Sequence, residues 1–485
     1  MLKRWLMAAG LIAGVFVLPL TARAQEVKKE DTAVSAGQQE AAADQQPQTE
    51  PTDKEKIEAL DQKIRVLERL REIEQEKAKE KEKTATIVGA GKDGFSIKSA
   101  DGAFVFKFRG LMQADLRVFG ENSHPPIATL GSNPTTFTMR RVRPTFEGTV
   151  FNIFDFKFMP DFGEGKTVLQ DAYVSARFLP TLAVVFGKMK EPFGLERLQS
   201  TQNIIFIERA LPTDVAPNRD VGVQITGDVL HGTLNYSLGV FNGVLDGASA
   251  DIDVTKGKDI VGRVFARPFR QNSSSPLQGL GFGIAVSSGH QDGALSTYKT
   301  IGQQTFFSYS SSTVGVSNIG ADGAHTRVSP QGYFYHSSFG LMFEYSTSSQ
   351  WIKKADLVKK TETRAKIQNT SWQLYGSYIL TGEKASFSGF TPANPFNPKD
   401  SHWGAFEVAA RYSQFDIDDL AFSKGFSDLS KSASQAKAWG VAFNWYMNKF
   451  IRYAINYDQT QFKRGAVSGD RHSENVIMSR CQIAF

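Results

Sequence analysis

Residues 104–110, Phe104-Val-Phe-Lys-Phe-Arg-Gly, decide how most of this chain is folded. Phe104, Phe106 and Phe108 occupy every second position. Lys107 lies between the second and third phenylalanines, and Arg109 follows the third. Successive side chains of a β-strand point to opposite faces, so this stretch predicts a strand with one aromatic face and one charged face. Residues 154–162 repeat the pattern, with phenylalanines alternating against Asp and Lys. The chain is therefore expected to be built from amphipathic strands.

Segments of about ten residues with this alternation continue to the carboxyl terminus, separated by clusters of Gly, Asn, Asp and Ser. A soluble sandwich of this length would need several domains and would have little use for 37 phenylalanines. The segments predict the all-β class, as a 16-stranded antiparallel transmembrane β-barrel over residues 104–485. They begin near residues 104, 136, 153, 167, 182, 220, 233, 259, 279, 325, 339, 369, 403, 436, 450 and 475.

The last segment is an amphipathic strand that ends in an aromatic residue. Phe485, Ile483 and Cys481 share one face, while Gln482 and Arg480 share the other. Such an ending resembles the signal by which bacterial outer-membrane barrels are recognised for assembly. Cys481 is the single cysteine, so no internal disulfide can form, and it is expected to face lipid or a neighbouring subunit as a small hydrophobic residue. Closure of a barrel, which pairs every strand edge, is the expected source of stability.

The amino-terminal residues carry an export signal. Lys3 and Arg4 precede a short apolar run, and Ala22-Arg23-Ala24 forms a cleavage site, so residues 1–24 are expected to be a signal peptide. Residues 25–53 are rich in Gln, Ala and acidic residues, which is typical of a disordered linker. The export signal and the barrel together predict the outer membrane of a Gram-negative bacterium, with the outer-membrane lipid as one partner.

Residues 54–83 predict a charged helix with a narrow apolar stripe. Ile57, Leu60, Ile64 and Leu67 fit heptad spacing, which favours a short coiled coil. A lone charged helix or tether is the alternative. Residues 84–103 are interpreted as a connector between the helix and the barrel.

The charge balance and the missing motifs limit the function. The whole chain carries a net charge of +6, and a surplus of seven positive charges falls on residues 85–485 once the preceding segments are subtracted. Because the lipid-facing surface excludes charge, this surplus is expected in the lumen, the loops and the turns, where it favours anions over cations. No His pair at metal-ligand spacing, phosphate-binding P-loop or nucleophile elbow is present. An enzyme, a metal site, a cofactor and a nucleic-acid partner are therefore not expected.

Residues 138–147, Thr-Met-Arg-Arg-Val-Arg-Pro-Thr-Phe-Glu, place basic side chains on the inner face of one strand. Arg141 and Arg143 share a face opposite Val142 and Phe146, so we expect both arginines to point into the lumen. Arg140 has the outward parity and is expected to snorkel to the membrane interface. Pairing with acids such as Asp171 is the alternative, purely structural role of the inner arginines.

Residues 188–223 interrupt the strand pattern with a long basic stretch, KMKEPFGLERLQSTQNIIFIERALPTDVAPNRDVGV. A loop of this length in a compact protein is disordered or functional. In a closed barrel it can fold inward and narrow the pore.

These residues resemble the phosphate-selective porin O and P family over roughly residues 104–485. The resemblance is carried by GKMKEPFGLE, FIERALP and AP-x-R-x-x-GV in residues 187–223, by Met139-Arg-Arg-Val-Arg143, and by Asp171-Ala-Tyr173. It implies a trimeric 16-stranded channel whose third extracellular loop folds into the barrel and binds anions through basic and hydroxyl groups.

The resemblance and the charge pattern together predict a set of anion-binding and pore-lining residues. Phosphate or other small anions would be the solutes, and a homotrimer is the expected assembly. Glu191, Glu196 and Glu208 lie in the same loop, so a general porin without strict phosphate selectivity is the alternative, as is an envelope tether that uses the coiled coil. The predicted site residues are Arg141, Arg143, Lys188, Lys190, Arg197, Ser200, Thr201, Arg209 and Arg263.

Overall fold

The computed structural model describes residues 52–91, 94–120, 135–253 and 257–485. The expected signal peptide (1–24) and residues 25–51 of the expected linker lie outside these ranges. Helix α1 spans Asp53–Thr84 and covers the predicted coiled-coil segment, whose self-association stays a prediction. None of the helices among the described residues is long and apolar enough to cross a membrane. More than half of each side chain in the predicted apolar stripe is exposed, namely Ile57, Leu60, Ile64 and Leu67.

The other described helices are short, and strands make up most of the remaining chain. Helices α2 and α3 span Leu195–Leu198 and Leu420–Ser423. The strands, in chain order, are β1 Ile87–Gly91, β2 Gly94–Lys98, β3 Val105–Phe119, β4 Thr136–Val150, β5 Phe154–Asp161, β6 Val168–Leu179, β7 Leu182–Lys190, β8 Arg219–Val229, β9 Leu234–Phe241, β10 Asp259–Ala266, β11 Leu280–Gly293, β12 Thr297–Lys299, β13 Thr305–Ser308, β14 Ser317–His336, β15 Phe339–Asp356, β16 Thr361–Ile379, β17 Ala405–Asp416, β18 Ala433–Tyr446, β19 Ile451–Ala466, β20 Gly469–Asp470 and β21 Glu474–Ala484.

Within the described residues, sixteen of these strands form a closed antiparallel barrel, which consists of β3–β11, β14–β19 and β21. The last strand pairs with the first, with Arg480 opposite Asp115, and this pairing closes the sheet. The carboxyl-terminal residue continues the seam, because Gly110 and Phe485 exchange two backbone hydrogen bonds of 2.9 and 3.0 Å. The predicted 16-stranded barrel is confirmed.

Burial along the strands is inverted relative to that of a soluble sheet. On β16, Ser371 and Gln373 are fully buried, whereas Leu374 and Tyr378 on the alternate face are 43% and 51% exposed. Polar side chains therefore fill the lumen and apolar side chains face outward, which is the arrangement a lipid-exposed barrel requires. Cys481 is exposed on the outer face, as expected.

Two strands begin eight residues before their predicted starts, while the others begin within three residues of them. β14 begins at Ser317 instead of residue 325, and β16 begins at Thr361 instead of residue 369. The added parts include charged residues such as Glu362 and Arg364, which weaken the apolar alternation. The alternation of apolar and polar residues therefore did not mark where these two strands begin.

The expected connector 84–103 contains strands β1 and β2, which form a hairpin. β2 also pairs with β3, with Phe95 opposite Phe108. The hairpin therefore extends the barrel sheet at the first strand instead of acting as a plain connector.

The two ends of the barrel differ in the length of their connections. At one end the connections are mostly short, such as residues 151–153, 180–181 and 337–338, and this is taken as the periplasmic end. Two periplasmic connections are longer, residues 267–279 and 380–404, and we call the second the long turn. The third extracellular connection joins β7 to β8 through residues 191–218, and we call it loop L3.

Candidate functional site

Loop L3 begins with a short helix that contacts a distant strand across the lumen. The N–H groups of Leu195 and Glu196, at the start of α2, donate to Oε1 and Oε2 of Glu344 on β15 at 2.9 and 3.2 Å. First-turn N–H groups have no partner inside the helix, so the carboxylate satisfies them. Gly194 enters this turn at a φ of +77°, and a Cβ there would lie 2.9 Å from the Cβ of Ala216. A glycine is therefore required for this entry.

The main chain further along loop L3 is held by long side chains near the seam of the barrel. Arg452 on β19 donates to the carbonyl oxygen of Ile204 at 2.8 Å, and Arg480 on β21 donates to that of Ile207 at 2.6 Å. Buried carbonyl oxygens need such partners because water does not reach them. The loop thus contacts inward-facing side chains of strands remote from β7 and β8, which flank it.

Two of the three loop glutamates, Glu191 and Glu196, are buried. Glu196 Oε2 accepts hydrogen bonds from the N–H of Ala210 at 2.9 Å and from Gln373 Nε2 at 3.0 Å. Glu191 is completely buried, and burial raises the pKa of its carboxyl well above the usual value. Neither carboxylate forms an ion pair with a cation within 4 Å among the described residues.

Glu208, the third loop glutamate, contacts Arg140, and here the sequence-based prediction is wrong. Arg140 was expected to face outward, but the pairing of β3 with β4 contains a bulge. Gln113 pairs with Arg141, and the residue after Gln113 pairs with Met139, which leaves Arg140 as the extra residue. Its side chain consequently turns inward, and its Nε donates to Glu208 Oε1 at 2.6 Å.

The cations of loop L3 and the end of β7 bind carbonyl oxygens. Lys190 Nζ donates to the carbonyl oxygens of Arg197 at 2.7 Å and of Gln199 at 3.0 Å. Arg197 Nη2 donates to Thr213 O at 2.5 Å, and Arg209 Nη2 donates to Gln199 O at 3.1 Å. Among the described residues, no carboxylate lies within 4 Å of these three cationic groups. The loop therefore gathers positive charge that its own glutamates do not pair with directly.

The surroundings of Arg197 and Arg209 in loop L3 lower the pKa of both guanidinium groups. Burial is the main cause that lowers the pKa of Arg197 to about 9, and the charge of Arg209 acts in the same direction. Burial likewise lowers the pKa of Arg209 to about 10, against the opposing effect of Glu196. Both guanidinium groups stay charged at neutral pH, so an anion placed between them would relieve the repulsion.

The two wall arginines predicted to face the lumen do so, with partners on both the wall and the loop. Arg141 Nη1 donates to Gln113 Oε1 at 2.7 Å. Arg143 Nε donates to Asp161 Oδ2 at 2.7 Å, and its Nη1 donates to Thr201 Oγ1 at 3.3 Å. Arg143 therefore connects the wall to one of the two predicted hydroxyl residues.

The remaining predicted residues are spread over different surroundings. Ser200 is exposed at the loop surface. Lys188 is buried and forms an ion pair with Asp251 of the loop between β9 and β10. Arg263 lies apart, with its guanidinium carbon 4.5 Å from the centre of the Phe265 ring. The structure therefore brings most, but not all, of the predicted residues together.

Arg219, which was not among the predicted site residues, joins the same basic group. Its Nε donates to Asp171 Oδ1 at 2.7 Å, so Asp171 pairs with Arg219. Among the described residues, Asp171 forms its ion pairs with Arg219 and Lys157 and not with Arg141 or Arg143. The signal for Arg219 was present in the AP-x-R-x-x-GV stretch, where the arginine follows loop L3 directly.

Three cavities among the described residues follow one side of the lumen and share lining residues. We call them the outer, middle and inner cavities, with volumes of about 410, 180 and 540 Å³. Of the described residues that line the middle cavity, eight are cationic and two are acidic. The outer and middle cavities share Arg140, Arg141, Arg197, Arg209 and Asn218. The middle and inner cavities share Arg143, Lys190, Thr201 and Arg219.

The long turn 380–404 contacts loop L3 from the periplasmic end, which the sequence did not indicate. Gln199 Nε2 donates to Phe387 O at 2.9 Å, and Asn203 Nδ2 donates to Ser388 O at 2.6 Å. The Phe387 ring also stacks on Tyr333 with ring centres 5.2 Å apart. Two connections from opposite ends of the barrel therefore meet in the lumen.

The sequence as a whole decides which kind of barrel this is. A family model described as phosphate-selective porin O and P matches residues 106–485. The chain belongs to this family. It is therefore an outer-membrane porin of a Gram-negative bacterium, as the resemblance and the export signal predicted.

Individual proteins of known name or structure are similar to this porin. Porin O of Pseudomonas aeruginosa is 22% identical over 432 residues, which cover 83% of this chain and 93% of that protein. Among solved structures, the outer membrane channel DcaP of Acinetobacter baumannii aligns with a TM-score of 0.51 and 11% identity, over 80% of this chain and 99% of that chain. An anion-selective porin from Comamonas acidovorans aligns with a TM-score of 0.46 and 12% identity, over 79% of this chain and 100% of that chain.

The family and the barrel fold indicate a channel rather than an enzyme. Among the described residues, no group of three or more His, Cys, Asp or Glu side chains could hold a metal ion.

Proposed function

We propose that this porin is an anion-selective channel in which loop L3 forms the constriction and small oxyanions such as phosphate bind on their way through. The observation that carries the proposal is the grouping of Lys190, Arg197 and Arg209 around one cavity without a carboxylate within 4 Å among the described residues. The cavity they line is also the smallest of the three in series. A narrow, positively charged passage lowers the barrier for anions and raises it for cations.

The binding chemistry suits an oxyanion. Guanidinium groups can donate two parallel hydrogen bonds to phosphate oxygens, and the Thr201 hydroxyl lies within the same cavity. The present carbonyl partners of Arg197 and Arg209 are neutral, so an anion would compete with them for the same donors. Several modest contacts in series also allow release, which conduction requires.

The loop glutamates do not contradict this proposal. Glu191 and Glu196 are buried against other parts of the protein, and Glu208 is paired with arginines of the wall. A general porin without phosphate preference remains the competing function, because it needs only the positive potential and no binding site. For the assembly we propose a homotrimer, with the outward apolar surface against lipid and neighbouring subunits.

Recordings from the purified porin in a planar bilayer test the proposal. Under a KCl gradient the reversal potential should be anion-selective, and added inorganic phosphate should reduce the chloride current. Replacing Arg197 and Arg209 together with Ala should weaken the phosphate block by at least about tenfold, because hydrogen bonds from charged donors contribute about 1.5–3 kcal/mol each.

The matched control replaces Arg270 and Arg364, two exposed arginines, with Ala. This pair removes the same charge and should leave the block near that of the wild type. Cation selectivity of the wild type would overturn the proposed function. An anion-selective channel that phosphate does not block would leave the general porin as the function.

A further inference from the structure

One loop carboxylate is surrounded by arginines to a degree that the proposed function does not explain. Glu208 Oε1 accepts from Arg140 Nε at 2.6 Å and from Arg117 Nη2 at 3.0 Å, and it lies 3.5 Å from Arg480 Nη2. Glu208 Oε2 lies 3.2 Å from Arg140 Nη2 and 3.6 Å from Arg141 Nη2. We call Arg117, Arg140, Arg141 and Arg480 the arginine cradle.

The Glu208 carboxylate is not needed merely to fix the backbone of the loop. The carbonyl oxygen of Glu208 already accepts from Arg411 Nη1 at 2.6 Å, and that of Ile207 accepts from Arg480 Nη1 at 2.6 Å. Neighbouring main-chain groups are thus anchored independently of the Glu208 side chain. Its carboxylate instead takes the position at which guanidinium donors converge.

The Glu208 carboxylate is ionised at this position. Burial by itself would raise the pKa of Glu208, but the charges of Arg140 and Arg141 more than offset it and hold the pKa well below the usual range. Two cradle arginines also form ion pairs with other carboxylates. Arg480 pairs with Asp115 at 2.7 Å, and Arg140 pairs with Glu164 at 3.1 Å. Glu208 therefore supplies the anion that faces all four arginines.

The cradle borders the route that solutes would take. Glu208, Arg140 and Arg141 line the outer cavity of about 410 Å³. Arg140 and Arg141 also line the middle cavity, which contains the loop cations. Arg197 and Arg209 line the same two cavities, so a solute anion in either cavity would lie beside both the cradle and the loop cations.

We propose that Glu208 is a selectivity-determining residue whose tethered carboxylate fills an oxyanion site formed by the arginine cradle. This inference rests on the proposed function, because it assumes that anions use the adjacent cavities. A permeating phosphate has the same chemistry as the carboxylate, namely oxygen atoms that accept from several guanidinium groups. While the Glu208 carboxylate occupies the cradle, a solute anion cannot bind there. The channel then has one anion-binding region, at the loop cations, instead of two.

Two substitutions separate the charge of Glu208 from the space that it fills. Glu208→Ala removes the carboxylate and opens room in the cradle, so inorganic phosphate should block the chloride current at a concentration at least about tenfold lower than in the wild type. Glu208→Gln removes the charge but keeps the volume, so it should increase the chloride-to-potassium permeability ratio with little change in the phosphate block. The control is Glu362→Ala, an exposed glutamate at the extracellular end of β16, which should change neither property.

An arginine substitution provides a second background in case Glu208→Ala does not assemble. The double variant Arg140→Ala/Glu208→Ala loses one cation and one carboxylate and so keeps the wild-type net charge, and phosphate should block it at a lower concentration than it blocks Arg140→Ala alone. An unchanged block in both comparisons would overturn the inference while leaving the proposed function intact. A wild-type channel that shows neither anion selectivity nor phosphate block would instead overturn the proposed function on which the inference rests.

Discussion

Asp214 lies where three extracellular loops meet beside the outer cavity. Its Oδ2 accepts from the N–H of Lys299 at 2.7 Å. Burial raises the pKa of Asp214 to about 7, the charges of Arg197 and Lys299 oppose this shift, and that of Asp246 reinforces it. A carboxyl with this pKa is mostly neutral below pH 7 and mostly ionised above it.

Acidification should therefore strengthen anion selectivity. Between pH 8 and pH 6 Asp214 takes up a proton, and the outer cavity gains one net positive charge. At about 8 Å in a water-like dielectric, a unit charge contributes on the order of 0.5 kcal/mol, favourably for chloride and unfavourably for potassium, so the chloride-to-potassium permeability ratio should rise roughly fivefold. Reversal potentials measured at both pH values check this.

Asp214→Asn provides the matched test of that pH dependence. The variant should show the acid value of the permeability ratio at both pH values, whereas Asp400→Asn, in the periplasmic long turn, should behave like the wild type. A wild-type ratio that does not change across pH 7 would exclude Asp214 as the titrating group.

Other single residues show what strand parity can and cannot predict. Arg141 and Arg143 were placed correctly, because alternation depends only on the two-residue repeat of a strand. Arg140 was placed on the wrong face, since a bulge adds a residue to one strand and breaks the repeat locally. The glutamates of loop L3 could not be oriented at all, because their directions depend on Gln373 and the cradle arginines, which lie far away in the sequence.

Among the larger elements, the long turn 380–404 contacts loop L3 from the periplasmic end. Its carbonyl oxygens bind Gln199 and Asn203, and Phe387 packs against buried residues that include Leu195 and Phe206. The turn supports the periplasmic side of the loop and fills part of the same cross-section.

Shortening the long turn should widen the channel. Replacing residues 383–402 with a short Gly-Ser linker should increase the single-channel conductance in KCl, because the contacts to Gln199 and Asn203 are lost and part of the lumen is vacated. The control shortens the periplasmic turn 267–279, for which no hydrogen bond to loop L3 occurs among the described residues. An unchanged conductance after the first replacement would mean that the long turn does not limit the current.

Elements differ in how visible they were in the sequence. Loop L3 was recognisable because it interrupts alternating strands with a long basic stretch. The long turn was not, because residues 380–404 are rich in Gly, Pro and polar residues and resemble an ordinary surface connection. Strands β1 and β2 were missed as well, since strands of five residues carry too little alternation to stand out.

At the scale of the whole molecule, we expect helix α1 to have a role separate from conduction. Its exposed stripe of Ile57, Leu60, Ile64 and Leu67 fits association with other copies of the helix. Deleting residues 25–83 should leave conductance and selectivity unchanged but lower the temperature at which the oligomer dissociates. Gel migration after stepwise heating measures that temperature.

Point variants distinguish the stripe from the rest of the helix. Leu60→Asp with Leu67→Asp should lower the dissociation temperature as the deletion does, whereas Ala59→Asp with Gln62→Asp, outside the stripe, should not. Loss of envelope integrity in cells with an unchanged dissociation temperature would favour the alternative role of the helix as a tether.

The sequence by itself determined the number of barrel strands, the face of most barrel side chains and the family. These properties follow from local composition and from a repeat of two residues, which each segment carries independently of the others. The tertiary structure decided which charges oppose one another. Glu208 is remote in sequence from Arg117 and Arg480, and only barrel closure and the path of loop L3 bring the three together. Electrostatic interactions depend on distances in space, so only the closed barrel determines which cations pair with a carboxylate.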